Sequence, residues 1–332
     1  MSKFEIYERL FHNNTMEEYE NFCLFNFHHH HHYKPFNCAL IMAQRPGALF
    51  VQTERAWEKN GYALKPEAIP IVIMQVSGPV TLVYDREDVY SEDPKLCEVL
   101  QRFSVPMDKG KMIDDPSLRH WLNLLKKKGI RSSESHFGEF MHGKAEPLNK
   151  PITIYYTEFV NGVLKEKAVK AYHQITFNTN LNSHEKFLTL LHELGHLYCG
   201  HINGVSTKVN NIPSYRYGAE MNALEKMKSD LVELDKKIEL TKGNTSDKSE
   251  FQKLTQQYED LFNSSRKFLQ DLENQKEYEA ELVCKLLCKR NGIHNIGSDA
   301  YLQHHTVNGL LPDINIMYVM EAVEKIAGIL NI

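Results

Sequence analysis

The sequence predicts an α+β protein in which short sheets and long helices occupy separate stretches of the chain. Three observations carry this expectation. Apolar, β-branched segments bounded by turn residues occur at "PIVIMQVSGPVTLVYD" (70–85) and again between residues 151 and 181. A run with helical period and its own capping signals follows at 182–200. Beyond residue 220, apolar residues recur at alternating steps of three and four over two long arms.

Composition fits a folded protein. The chain has 332 residues, 42% of them hydrophobic and 25% charged, as in ordinary globular proteins. That length points to two domains. A net charge of −4 demands no nucleic-acid partner and leaves room for a local basic patch. The longest apolar runs, such as "IPIVIM" at 69–74, are strand-sized and too short to span a bilayer. "MSKFEIYERLF" has no apolar core of the kind a secretory signal carries. Six scattered cysteines do not read as a disulfide framework. A cytoplasmic protein is expected.

In chain order, residues 1–103 are expected to form a small N-terminal α+β domain. It begins helical and ends in two strands joined at Ser77-Gly78-Pro79. The run His28–His32 is a polar segment whose monotony defines no ligand geometry. Residues 104–150, with Pro, Gly, Ser and mixed charge, read as a partly helical connector. Residues 151–332 form the second expected domain. Its strands meet at Asn161-Gly162, a strong hairpin signal between apolar runs.

The helix that follows starts at Asn182, with Glu185 placed to complete a capping box. It stops at Gly200, and Phe187, Leu190, Leu191, Leu194 and Leu197 form its core face. The heptad arms come next: Leu224, Met227, Leu231, Leu234 and Ile238, then Phe251, Leu254, Tyr258, Leu261, Ser265, Phe268 and Leu272. With "KGNTSDKS" between them they predict an antiparallel helical hairpin inserted at 222–275. It is either a solvated structural insertion or an arm that docks a protein partner or gates a substrate.

The chemistry lies in "LHELGHLYCGH" (191–201). His192 and His196 are four apart, so one helix face presents both imidazoles a turn apart, as a zinc ion requires. Glu193 projects beside them, where a general base for a zinc-activated water belongs. A third ligand is needed. His201 departs in spacing from the extended three-histidine motif, and a role in holding a ligand from behind suits it better. The later stretch "NQKEYEAELVCKLLCKRNGI" offers Glu277 and Glu281, four apart on one helix face. Either carboxylate could supply the third ligand. Glu279 faces elsewhere. The paired Cys284 and Cys288 read as core thiols.

"FNTNLNSHEKFLTLLHELGHLYCGH" followed by "EYEAELVCKLLC" resembles the ImmA/IrrE-type zinc metallopeptidases, a gluzincin group. The resemblance implies a mostly helical, zincin-like domain with a short sheet. It implies Zn2+ held by His192, His196 and Glu277, with Glu281 as a carboxylate behind a ligand or as the alternative ligand, Glu193 as base, and hydrolysis of peptide bonds in a protein substrate. "YKPFNCALIMAQRPGALFVQTERAWEKNGYALKPEAIPIVIM" resembles the N-terminal domain of ArdC-type antirestriction proteins, through Asn37, Leu40, Ile41, Gln44, Pro46, Trp57, Gly61 and Lys65. Pro66 stands where that family usually has a turn glycine. This second resemblance implies binding of single-stranded DNA. Arg45, Arg55, Lys59 and Lys65 near Phe50, Trp57 and Tyr62 are the residues that would serve it, since single-strand binding combines basic groups with aromatic platforms. In the opposing reading Trp57 is core and the charges are a solvated face.

Overall fold

The structure, a computed structural model, describes residues 33–102 except 34, 46, 49 and 76–79, then 110–203 except 140, 212–242, 248–306 except 296, and 311–332. His28–His32, Pro46, the turn at 77–79 and most of the turn at 242–249 lie outside the described residues. The protein is mixed, with long helices and small sheets. It divides into two compact units, Met1–Lys111 with Leu286–His294, and Met112–Lys285 with Asn295–Ile332.

The first unit contains helix α1 (Pro35–Gln44), strand β1 (Val51–Gln52), helix α2 (Glu54–Lys59), strands β2 (Ala63–Leu64), β3 (Ile71–Ile73), β4 (Thr81–Asp85) and β5 (Val89–Tyr90), and helix α3 (Pro94–Arg102). β3 and β4, expected on either side of the 77–79 turn, pair antiparallel in a sheet of order β1-β4-β3. Alternation along β3 and β4 sends Ile71, Ile73 and Val83 into a core with Ile41, Ala48 and Val51. A second cluster forms around Trp57, Tyr62 and Val89.

The open edge of β3 is closed by side chains. Gln44 donates to the Val72 carbonyl at 2.8 Å and accepts from the Val72 N–H at 2.9 Å. Asn37 does the same to Met74, at 2.9 and 3.0 Å. Two primary amides thus stand in for a neighbouring strand and satisfy backbone groups that would invite edge pairing.

The second unit is built on helix α4 (Asp115–Lys127), strands β6 (Ile130–Ser135), β7 (Gly143–Val160) and β8 (Val163–Asn178), and helices α5 (Ser183–Tyr198), α6 (Gly218–Lys242), α7 (Lys248–Arg290, in this unit as far as Lys285), α8 (Ser298–His304) and α9 (Ile316–Leu330). Residues 104–150 supply α4, β6 and the start of β7, so the described part of that stretch is woven into the sheet of this unit. β8 lies centrally, parallel to β6 and antiparallel to β7. Asn161 and Gly162 take φ of 52° and 77°, the left-handed pair that a tight hairpin turn needs.

α5 follows β8 directly. Asn182 accepts from the Glu185 N–H at 3.0 Å, and Glu185 accepts from the Asn182 N–H at 2.8 Å, which closes the expected capping box. Phe187, Leu190, Leu191, Leu194 and Leu197 are all buried. Their face packs on β7, β8, α4 and α9. The chain leaves the helix at Gly200, whose φ is 75°.

In α6 and in the first part of α7, each expected heptad residue is buried or half-buried. That is the pattern of two helices laid against each other. The second arm does not stop at residue 275. It continues without a break as the helix that carries Glu277, a single element of 43 residues. Apolar periodicity simply changes neighbours along one rod.

Candidate metal centre

His192 and His196 project from one face of α5, and Glu277 reaches them from α7. Their ligand atoms all lie within 4.8 Å of one another and form a group that could hold a metal ion. His192 Nε2 and His196 Nε2 are 3.1 Å apart. The Glu277 oxygens lie 3.2 Å from His192 Nε2 and 3.4 Å from His196 Nε2. Tyr301 of α8 donates to Glu277 at 2.7 Å and sets its ring edge against His192. Glu193, one residue along from His192, is buried and lies beside Gly143 of β7.

The two helices can meet because Gly195 has no side chain. A Cβ there would come within 2.8 Å of the Ala280 backbone. The glycine of "HELGH" is therefore a docking point for α7, and Glu277 and Glu281 flank the contact.

Each histidine is held from behind. Glu281 accepts from His192 Nδ1 at 2.9 Å and is bonded in turn by Ser298. A carboxylate on Nδ1 fixes the ring and turns Nε2 toward Glu277. His196 Nδ1 faces His201 Nδ1 at 2.9 Å, and His201 Nε2 meets Glu279 at 2.9 Å. Arg216 grips Glu279 with two nitrogens, at 2.6 and 3.2 Å. The Asn315 N–H completes the carboxylate at 2.7 Å.

The electrostatics favour a cation at the first cluster. Burial opposes charge on His192, yet its hydrogen bonds to Glu277 and Glu281 overcome this and push its pKa up to about 10. Burial likewise works against the Glu277 carboxylate, and the bonds from His192 and His196 hold it well below the usual range. Burial pushes His201 down to about 4, so it is neutral near neutral pH. Cys199, His201 and Glu279 also cluster closely enough for a metal. There, however, the Arg216 guanidinium already supplies the positive charge.

The expected residues divide clearly. His192, His196 and Glu277 come together, and Glu281 and His201 stand behind the two histidines. Glu279, expected to face elsewhere, points away from the cluster but reaches it through His201. Tyr301, Ser298 and Arg216 were missed. Ser298 and Tyr301, three apart, share a helix face, which was their one available signal. Arg216 had none.

The four basic residues expected to serve nucleic acid all lie on described parts of the first unit. Trp57 is only 1% exposed, with Phe50 and Tyr62 edge-on to its ring. Its indole N–H donates to the Tyr84 carbonyl at 3.0 Å. Arg45 is ion-paired with Asp88, and Lys65 donates to the Glu87 carbonyl at 2.8 Å. Arg55 and Lys59 are exposed on α2.

No family model matches the chain, and no curated protein or solved structure matches it. The five described cysteines form no disulfide. Among the described residues, no helix is long and apolar enough to cross a membrane.

Proposed function

We propose that the chain is a zinc-dependent metallopeptidase of the ImmA/IrrE and ArdC kind, with a zincin-like second unit, cleaving peptide bonds in a specific protein. One observation carries the reading: two imidazole Nε2 atoms and one carboxylate converge beside a buried glutamate. Zinc held tetrahedrally at about 2.0–2.1 Å sets neighbouring ligand atoms roughly 3.3 Å apart. The observed separations of 3.1, 3.2 and 3.4 Å fit that spacing.

His192, His196 and Glu277 would hold the ion, leaving a fourth position open to water or substrate. When bound, zinc supplies Lewis-acid polarisation of the scissile carbonyl and lowers the pKa of a water to about 7. Glu193 accepts a proton from the attacking water on its carboxylate and delivers it to the leaving amine nitrogen. Glu281 and His201 keep the two imidazoles oriented. Tyr301 holds Glu277 in place.

The test is Glu193→Gln, which keeps the ligands and removes the base. Comparing the new protein N-termini produced in a cytoplasmic extract by wild type and variant identifies cleavages that depend on Glu193. Zinc retained with cleavage lost supports the proposal. Equal cleavage by both proteins overturns the mechanism.

Binding of single-stranded DNA by the first unit draws less support. The aromatic residues are packed against one another, and two of the four basic residues are tied to this unit's own oxygens. A filter-binding salt series decides it, since binding through phosphates weakens steeply as salt rises.

A further inference from the structure

We infer that Arg216, Glu279 and His201 are positioning residues for His196: a buried relay that dictates which of its nitrogens carries the proton. The inference rests on the zinc reading above and extends it to residues outside the ligand set.

Glu279 is 0% exposed, and its two oxygens face four donors. One oxygen takes His201 Nε2 and Arg216 Nη1, and the other takes Arg216 Nη2 and the Asn315 N–H. A carboxylate has about four lone-pair sites, so all are filled and the group carries no proton. It is an acceptor only, and His201 Nε2 must donate to it. The Arg216 guanidinium already balances the Glu279 charge, so His201 is held as a neutral imidazole with a bare Nδ1. That atom lies 2.9 Å from His196 Nδ1, so His196 must supply the hydrogen between them. What remains on His196 is a bare Nε2, the atom that faces His192 and Glu277.

Arg216 anchors the chain of bonds at the far end. Its guanidinium lies over the Tyr318 ring at 4.0 Å and also donates to the Cys199 carbonyl at 3.0 Å. Its backbone N–H bonds the Gly200 carbonyl at 3.0 Å. The last turn of α5 and the relay therefore share one cation, placed where a helix C-terminus favours positive charge. The two histidines are supported differently. His192 meets a carboxylate directly, and His196 meets one through a second imidazole.

Two measurements test the relay. In nitrogen-15 histidine spectra of the zinc-loaded wild type, His201 is expected as the Nε2–H tautomer and His196 as the Nδ1–H tautomer. In chelator competition, His201→Phe removes the acceptor and is expected to weaken zinc binding about 10- to 100-fold. His201→Gln offers a carbonyl to His196 and an N–H to Glu279, and is expected to recover most of that loss. His201 protonated on Nδ1, or a folded His201→Phe with wild-type zinc affinity, overturns the relay. The spectra decide the matter if His201→Phe does not fold. A wild type that binds no stoichiometric zinc would instead sink the peptidase reading, so the two failures are distinguishable.

Discussion

Gly195 of α5 and Ala280 of α7 touch backbone to backbone: a Cβ on Gly195 would lie 2.8 Å from the Ala280 carbonyl oxygen and 2.9 Å from its Cα. The two glutamates that face His192 sit on either side of that contact. The closeness of the helices therefore sets the reach of both carboxylates.

Gly195→Ala should accordingly damage the metal centre without touching a ligand. Backbone atoms cannot step aside as a flexible side chain can, so the helices must separate. Overpacking of this kind typically costs about 1–3 kcal/mol. We expect a lower melting temperature in metal-free protein and at least about tenfold weaker zinc binding, the range seen when support behind a ligand is lost. Unchanged values in both assays would show that the contact does not govern the site.

The roles of the two glutamates can be separated. Glu277→Gln should abolish stoichiometric zinc, because it removes a ligand. Glu281→Gln leaves His192 an acceptor and should retain zinc with affinity lower by about 10- to 100-fold. Metal analysis after gel filtration, with the His28–His32 segment deleted from every protein, reads this directly. The opposite ranking would exchange the two assignments.

His173 gives a pH signature apart from the metal. It is 1% exposed in the central strand β8, and neither nitrogen has a hydrogen-bond partner among the described residues. Burial pushes its pKa down from 6.5 to about 4. The unfolded chain therefore binds a proton between those values and the folded chain does not. Stability from this group is full above pH 6.5, falls as pH drops toward 4, and is flat below that. Urea unfolding of metal-free wild type and His173→Leu at pH 7 and pH 5 should show a smaller acid loss in the variant. Equal losses would remove His173 from the account.

The amides on the edge of β3 predict a local effect. Replacing Asn37 and Gln44 together by Ala leaves Val72 and Met74 without their partners. The expected cost is about 1 kcal/mol for each lost bond. Hydrogen exchange at the Val72 and Met74 amides should accelerate, while exchange in α5 stays unchanged. Protection equal to wild type would mean that other groups close the edge.

Much of the candidate site could be read in the sequence because it is local. Asn182 and Glu185 fix the start of α5, Gly200 fixes its end, and the four-residue step from His192 to His196 needs nothing further. Helical spacing narrowed the third ligand to Glu277 and Glu281, because it restricts which carboxylates share a face. Arg216 and Glu279 could not be placed, since their meeting depends on where the chain returns after α5. Trp57 shows the same limit from the other side. A tryptophan among basic residues suits a nucleic-acid surface and a core equally well, and only packing against Phe50 and Tyr62 decides. The end of the second arm escaped prediction because heptad spacing and ordinary amphipathic spacing merge without a stop signal.

That absent stop has a mechanical meaning. With 43 residues at about 1.5 Å each, α7 is a rod of roughly 65 Å. No joint separates the solvent-facing arm from the carboxylate that faces His192. A hinge would absorb a twist or bend applied to the arm, and a continuous helix transmits it. Seam packing along the arm and the distance from Glu277 to His192 are thus linked: the arm is a tiller, and the candidate metal centre is its rudder.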